Sequence, residues 1–314
     1  MTPPTILCCG EPLVVVTPHA GEDLVTAHEL SIGVAGAELN VALHLARLGL
    51  DVRYAGAVGT DPFGKRIRSV LVAEGVDDRA LHEVADRPTG VYFKQAAGDS
   101  GNGSSVHYYR EGSAAAGAWE LTGEDLAPVG HVHVSGVAAA VSDEFVARLE
   151  ALTAPGRTWT VSFDVNHRPA LWTPGSAPEV LLRIARRCDI VFVGLDEAAE
   201  VWGAQTPDAI RALMPGVREL VVKDGPEPAV VWVDGAWSAS EPVPVVVVEL
   251  VGAGDAFAAA YLASRLSGHG VGASMQAGHI LASHVISETG DQGSPEAEAY
   301  AQIRDILPAR TVAR

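Results

Sequence analysis

At 314 residues the chain can form one large α/β domain or two small ones, and with 48% hydrophobic and 19% charged residues it has the composition of a soluble globular protein with a sizeable core. A formal net charge of −17 with no Lys/Arg run argues against a nucleic-acid binder held by phosphate contacts. No apolar stretch reaches the roughly 18–20 residues of a membrane span. Residues 1–10 lack the basic and apolar regions of a signal peptide, so a cytoplasmic protein is expected.

In chain order, an apolar strand pattern runs from Ile6 to Val16, broken by Gly10, Glu11 and Pro12. Cys8 and Cys9 are adjacent and, with Cys188, offer neither a disulfide framework nor zinc spacing, so they read as reduced, buried thiols. Leu39 to Leu48 carries apolar residues at helical spacing. Val52 to Val58, Val132 to Ser135, Thr158 to Phe163, Ile190 to Val193 and Leu220 to Lys223 are short, β-rich and bounded by Gly, Asp or Pro. Strands alternating with helices predict a largely parallel sheet covered on both faces, with ligands bound outside the carboxyl ends of the strands. Two regions, Leu13 to Gly36 and Thr89 to Glu111, hold strand patterns with no helix between them. In the second, Thr89–Lys94 and Val106–Arg110 bracket a Gly/Ser/Asp loop, 98–105, which predicts a hairpin. The glycosylation sequon at Asn102 reads as its loop tip.

Late in the chain the apolar run Val243–Val248, read as a strand, leads into Gly252-Ala253-Gly254-Asp255 and an alanine-rich helix. Unpaired N–H groups at a helix N-terminus favour an anion, and small residues let the backbone approach it closely. A carboxylate at that mouth would repel a phosphate, so Asp255 suits a base that takes a proton from a nucleophile. Its bland alternative is a helix N-terminal acid chosen for the macrodipole. Gly59-Thr60-Asp61-Pro62-Phe63-Gly64-Lys65 nearly spells a P-loop, but Arg66 stands where Ser or Thr must hold Mg²⁺ and Pro62 removes an N–H. His131 and His133 share one strand face; two histidines are too few for a metal site, and they read as core or edge residues.

These pieces, in this order, resemble the ribokinase-like (PfkB) carbohydrate kinases over about residues 5–295. The resemblance implies a doubly wound, mostly parallel sheet with helices on both faces and a small β-sheet lid. It implies a single domain over 1–314, with lid strands from about 13–36 and 89–111. Gly252, Ala253 and Gly254 would then stabilise the transferred phosphoryl group, and Asp255 would be the base. Ala35-Gly36-Ala37-Glu38-Leu39-Asn40 is similar to the family's N-terminal signature, with Gly36 and Asn40 facing the sugar and Ala35 in place of a first glycine. The stretch around Asp61 and Phe63 would support the fold near the site.

Asp164-Val165-Asn166-His167-Arg168, followed by Leu171-Trp172, resembles the 2-keto-3-deoxygluconate kinase branch of the family. That branch assigns Tyr92, Tyr108, Arg110 and Arg168 to a sugar acid, and a guanidinium fork suits a carboxylate. The alternative for Arg168 is a structural pair with Asp164. Glu197 takes the position that organises Mg²⁺ through water, with Gly194 replacing the usual Asn. Lys223 and Gly225 resemble the nucleotide loop that binds ATP. Glu249 stands where the family usually has Asp in a monovalent-cation site, and Val251 replaces a frequent Thr, which leaves a K⁺ requirement in doubt. The resemblance also implies a homo-oligomer, dimer or higher, through the lid. A kinase for a neutral sugar and an inactive sugar- or nucleotide-binding relative are the competing readings.

Overall fold

A computed structural model describes residues 4–19, 22–95 and 105–307 of the chain. The tip of the expected hairpin, up to 104, and the sequon at Asn102 lie outside the described residues.

The first half comprises β1 (Thr5–Cys9), β2 (Leu13–Pro18), β3 (Leu30–Ala35), α1 (Ala37–Arg47), β4 (Val52–Gly59), α2 (Pro62–Ala73), β5 (Leu81–Val84), β6 (Val91–Gln95) and β7 (Ser105–Tyr109). Then come α3 (Gly123–Leu126), β8 (Val129–Ser135), α4 (Gly136–Ala139), α5 (Asp143–Leu152), β9 (Thr160–Asp164), α6 (Ala177–Ala185), β10 (Ile190–Gly194) and α7 (Leu195–Trp202). The chain continues through α8 (Pro207–Leu213), β11 (Glu219–Asp224), β12 (Glu227–Val233), β13 (Ala236–Ser240), α9 (Ala253–Leu266), α10 (Val271–Ile286) and α11 (Glu298–Ile306).

Nine strands form one sheet in the order β13-β12-β11-β10-β9-β8-β1-β4-β5. Every neighbouring pair from β11 to β5 is parallel; β12 and β13 are added antiparallel at one edge. Side chains of a strand alternate between faces, and the two cores show it. Ile6 and Cys8 of β1 enter one core with Leu39, Leu43, Tyr54, Phe192 and Phe257, while Leu7 and Cys9 enter the other with Phe145, Phe163, Leu181 and Val193. Each fully buried large apolar side chain contributes about 1.5–3 kcal/mol, so both faces of the sheet must be covered. Helices α1, α2, α9 and α10 cover one, and α5 to α8 the other. All three cysteines are buried and free.

The strands without helices between them form a second sheet, β3-β2-β6-β7. The expected hairpin is there: β6 and β7 pair antiparallel with Tyr92 opposite Tyr108.

One expected strand is absent. Residues 243–248 run irregularly beside α10, with Val246 83% exposed. Pro242 and Pro244 explain this, because two residues without N–H groups at alternate positions cannot serve a ladder. Ser283 Oγ instead donates to the Val243 carbonyl at 3.0 Å, and the Val248 N–H donates to Ile286 O at 2.7 Å. Among the described residues, no helix is long and apolar enough to cross a membrane.

Candidate active site

The carboxyl ends of β9, β10 and β11 and the start of α9 open onto a cleft of about 450 Å³, which the second sheet also borders. Gly36, Asn40, Tyr92, Tyr108, Arg168, Glu197, Lys223, Gly252, Gly254 and Asp255 all line it, drawn from positions more than 200 residues apart in the chain.

Gly252 caps the start of α9 in the left-handed region, φ 87°, and a Cβ there would fall 2.0 Å from the Asp291 carbonyl oxygen. Glycine is therefore needed for conformation and for space. Gly36 has a similar task at the start of α1. Its φ is 138°, and a Cβ would meet the Glu11 carbonyl oxygen at 2.5 Å. At Gly254 a Cβ would come within 3.1 Å of the Lys223 ammonium, so the small residue makes room for a cation beside the turn.

Asp255 sits in the first turn of α9, buried. Asn40 Nδ2 donates to one carboxylate oxygen at 2.8 Å and Asn166 Nδ2 to the other at 3.3 Å. Burial pushes its pKa up to about 7; the Asn40 hydrogen bond opposes that and the charge of Asp164 adds to it. A carboxyl with its pKa near neutrality can release and take up a proton close to neutral pH, as a general base must. Asn166 reaches it from an unusual backbone, φ 36°, held by its own N–H to Asp164 Oδ1 at 3.3 Å; its Oδ1 is buried with no protein partner among the described residues.

Asp164 pairs with Lys223, Nζ to Oδ2 at 2.8 Å. The structural alternative for Arg168, a pair with Asp164, is thereby not formed. Arg168 is exposed, lines the cleft, and has no ion-pair partner among the described residues. For Lys223, burial favours the neutral amine, but Asp164 and Glu197 outweigh it and its pKa is raised. Glu197 accepts the Gly194 N–H at 3.1 Å, and burial raises its pKa against the pull of Lys223. A side chain on Gly194 would collide with Asp196 Oδ1, 2.5 Å from its Cβ.

Arg110 is placed differently from Arg168. Its guanidinium lies 5.9 Å from the Tyr108 ring centroid, so the two share a face as their spacing requires. Yet its Nε pairs with buried Glu11 at 2.7 Å, and Arg110 is absent from the cleft lining. Its Nη1 and Nη2 are buried and unpartnered among the described residues. Ser113 Oγ holds the other Glu11 oxygen at 2.6 Å. Ala253, the first residue of α9, and Gly225, in the turn between β11 and β12, also lie outside the lining.

The near-P-loop is a joint rather than a cradle. Asp61 caps α2 by accepting the Gly64 N–H at 2.9 Å, and also takes the Thr89 N–H at 2.8 Å, which ties α2 to the root of β6. His131 and His133 are buried among hydrogen bonds to Thr160 and Ser162, and burial pushes both pKa values down to about 3. Among the described residues no cluster of three or more His, Cys, Asp or Glu could hold a metal.

Two cleft residues escape the sequence reading. Lys94 shares a strand face with Tyr92, a period-2 signal that was available. Asp291 stands in Gly290-Asp291-Gln292-Gly293 after α10, where nothing local marks it. Tyr92 donates its hydroxyl to Asp291 at 2.5 Å, and Lys94 pairs with the same carboxylate.

Comparison with known proteins gives the same outline. The model of the pfkB family carbohydrate kinases matches residues 5–298. A 2-dehydro-3-deoxygluconokinase of Bacillus subtilis strain 168 is 33% identical over 301 residues, 91% of each chain. Its namesake in Escherichia coli K12 is 30% identical over 280 residues, 82% of this chain and 89% of that protein. The crystal structure of a PfkB protein from Polaromonas sp. JS666 superposes with a TM-score of 0.83 at 30% identity, covering 96% of this chain and 99% of the other.

Proposed function

The chain belongs to the pfkB family of carbohydrate kinases, and within it we propose that the protein transfers the γ-phosphoryl group of ATP to the terminal hydroxyl of 2-keto-3-deoxygluconate. Asp255 accepts the hydroxyl proton as that oxygen attacks. Asn40 and Asn166 hold its two carboxylate oxygens, and the unpartnered Asn166 Oδ1 can receive a sugar hydroxyl. N–H groups of Gly252, Ala253 and Gly254 meet the charge that develops on the phosphoryl group. Lys223, the Gly225 turn and the cleft beyond Gly254 take the nucleotide. Gly36, Tyr92 and Tyr108 form the wall against the sugar.

The observation that carries the substrate class is Arg168, a guanidinium on the cleft with no ion-pair partner among the described residues. A carboxylate satisfies it; a neutral sugar does not. The names of the B. subtilis and E. coli relatives support the same substrate. Arg110, held by Glu11 behind Tyr108, serves as a support for that ring and a more distant positive charge. Mg²⁺ suits the donors present, because it keeps most of its waters and binds through substrate phosphates and one or two carboxylates. Glu197 would reach it through water, and the ion would neutralise phosphate charge. The reading places the reaction in the cytoplasm, in a homo-oligomer joined through the second sheet, whose edge strands expose Leu30, Ile32 and Tyr109. Light scattering on the wild type and on Ile32→Lys tests that association.

The deciding test is ATP-dependent phosphorylation across a panel of sugar acids and their neutral analogues. The wild type should prefer the acid, and Arg168→Ala should lower kcat/KM for it by about 10–10²-fold, the scale of one charge-assisted contact, with little change for the neutral sugar. A wild-type preference for fructose or ribose overturns the substrate class and leaves the kinase assignment standing.

A further inference from the structure

Two carboxylates flank the turn that begins α9. Glu249 lies three residues before Gly252, and the Asp291 carbonyl is packed directly against Gly252. Both acids meet one ammonium: Lys94 of β6 pairs with Glu249 and Asp291 at once, and its side chain is 3% exposed. The remaining oxygens are also taken. Tyr92 donates to Asp291 Oδ2 at 2.5 Å, and the Gly290 N–H to Glu249 Oε2 at 2.9 Å. Among the described residues, no other Lys, Arg or His pairs with either acid.

Two neighbouring carboxylates, one buried and one half-buried, repel each other unless a counter-charge stands between them. A small bound cation is one solution, and the resemblance places a monovalent-cation site at Glu249. The donors here do not suit that ion, because an ammonium of the chain already stands between the carboxylates. We propose that Lys94 is a built-in monovalent cation. It is a positioning residue that neutralises Glu249 and Asp291, fixes the two segments packed on Gly252, and so sets the direction of the N–H groups that receive the phosphoryl group. The proposal rests on the kinase reading of the same cleft. The pairs also fasten the second sheet, which carries Lys94, to the loops that carry its partners. The chain accordingly works without added K⁺.

The test uses the purified full chain, with tetramethylammonium as the sole monovalent cation or with excess K⁺ or NH₄⁺. Wild-type turnover should be the same in each. Lys94→Ala vacates the space between the acids. It should lose about 10²-fold in kcat without K⁺, with a smaller change in KM, as expected for an ångström-scale misplacement of reacting groups. Added K⁺ or NH₄⁺ should return most of that loss, and Lys94→Arg should keep both activity and K⁺ independence. A merely structural lysine would show no cation rescue. Thermal unfolding gives a readout that needs no turnover: K⁺ should raise the Tm of Lys94→Ala and not that of the wild type. This separates failure of the proposal from failure to find the sugar. Strong K⁺ activation of the wild type, full turnover of Lys94→Ala without K⁺, or no rescue in both turnover and Tm overturns it. If Lys94→Ala does not fold, the wild type and Lys94→Arg still decide: K⁺ dependence of either refutes the built-in charge, and independence of both upholds it.

Discussion

Removing the Asn40 amide should move the pH at which the base works. In the wild type, Asn40 Nδ2 donates to Asp255 at 2.8 Å and favours the ionised carboxylate, whose pKa is nonetheless pushed up to about 7 by burial. A hydrogen bond to a charged group contributes about 1.5–3 kcal/mol, and one pKa unit corresponds to about 1.36 kcal/mol. Asn40→Ala should therefore raise the acid limb of the kcat/KM profile by about 1–2 units. If Asp255 is the base and titrates at about 7, the variant should fall about five- to fiftyfold below the wild type at pH 7, with the deficit shrinking towards pH 9–10. Loss of a sugar contact by Asn40 would lower the whole curve without sliding it along the pH axis, so the two effects separate. The assay is coupled ATP turnover from pH 5.5 to 10, with folding checked at each pH. An acid limb that stays in place in Asn40→Ala refutes the assignment of that limb to Asp255.

Asp255→Asn should cut kcat by about 10²–10⁴-fold, the range for a lost general base, while ATP binding by calorimetry is retained. The same variant should be more stable than the wild type at pH 8 and not at pH 4. The folded pKa of Asp255 lies above its ordinary 3.8, so the native state holds a proton that the unfolded chain has released, and stability falls as pH rises from about 4 to 7. A variant that cannot ionise escapes that loss, by up to about 4 kcal/mol, which thermal unfolding at the two pH values checks. Glu197→Gln should raise the Mg²⁺ concentration for half-maximal turnover and leave the sugar KM alone; the reverse pattern would move Glu197 to another role.

The strands that carry the site were visible as short β-rich runs, because a sheet buried on both faces needs apolar residues at every position, as in Ile190–Val193. Asp255 was visible because a strained glycine turn and a helix start leave a local mark. Arg110 was harder to place, since its fate depends on Glu11, 99 residues earlier in a short break between two strands. Its spacing from Tyr108 gave the face correctly but not the depth. Val243–Val248 misled for a different reason: β-branched side chains suggest a strand, while Pro242 and Pro244 deny it the ladder. Asp291 left no signal at all, because its burial comes from Lys94 and Tyr92 arriving from the other sheet.

The position of β1 has a consequence for how the chain is made. It leaves the ribosome before both of its neighbours, yet it lies inside the large sheet, between β4 and β8. Pairing with β4 is possible once the chain up to about residue 60 is free, but its other edge must wait for residues 129–135. Until then Ile6, Leu7, Cys8 and Cys9 present an apolar strand with one row of unpaired backbone groups, the kind of edge that recruits other chains. A slow stretch of translation or a truncation between residues 60 and 128 would prolong that state, so chaperone demand and aggregation of nascent fragments should peak in that window and drop once β8 has emerged.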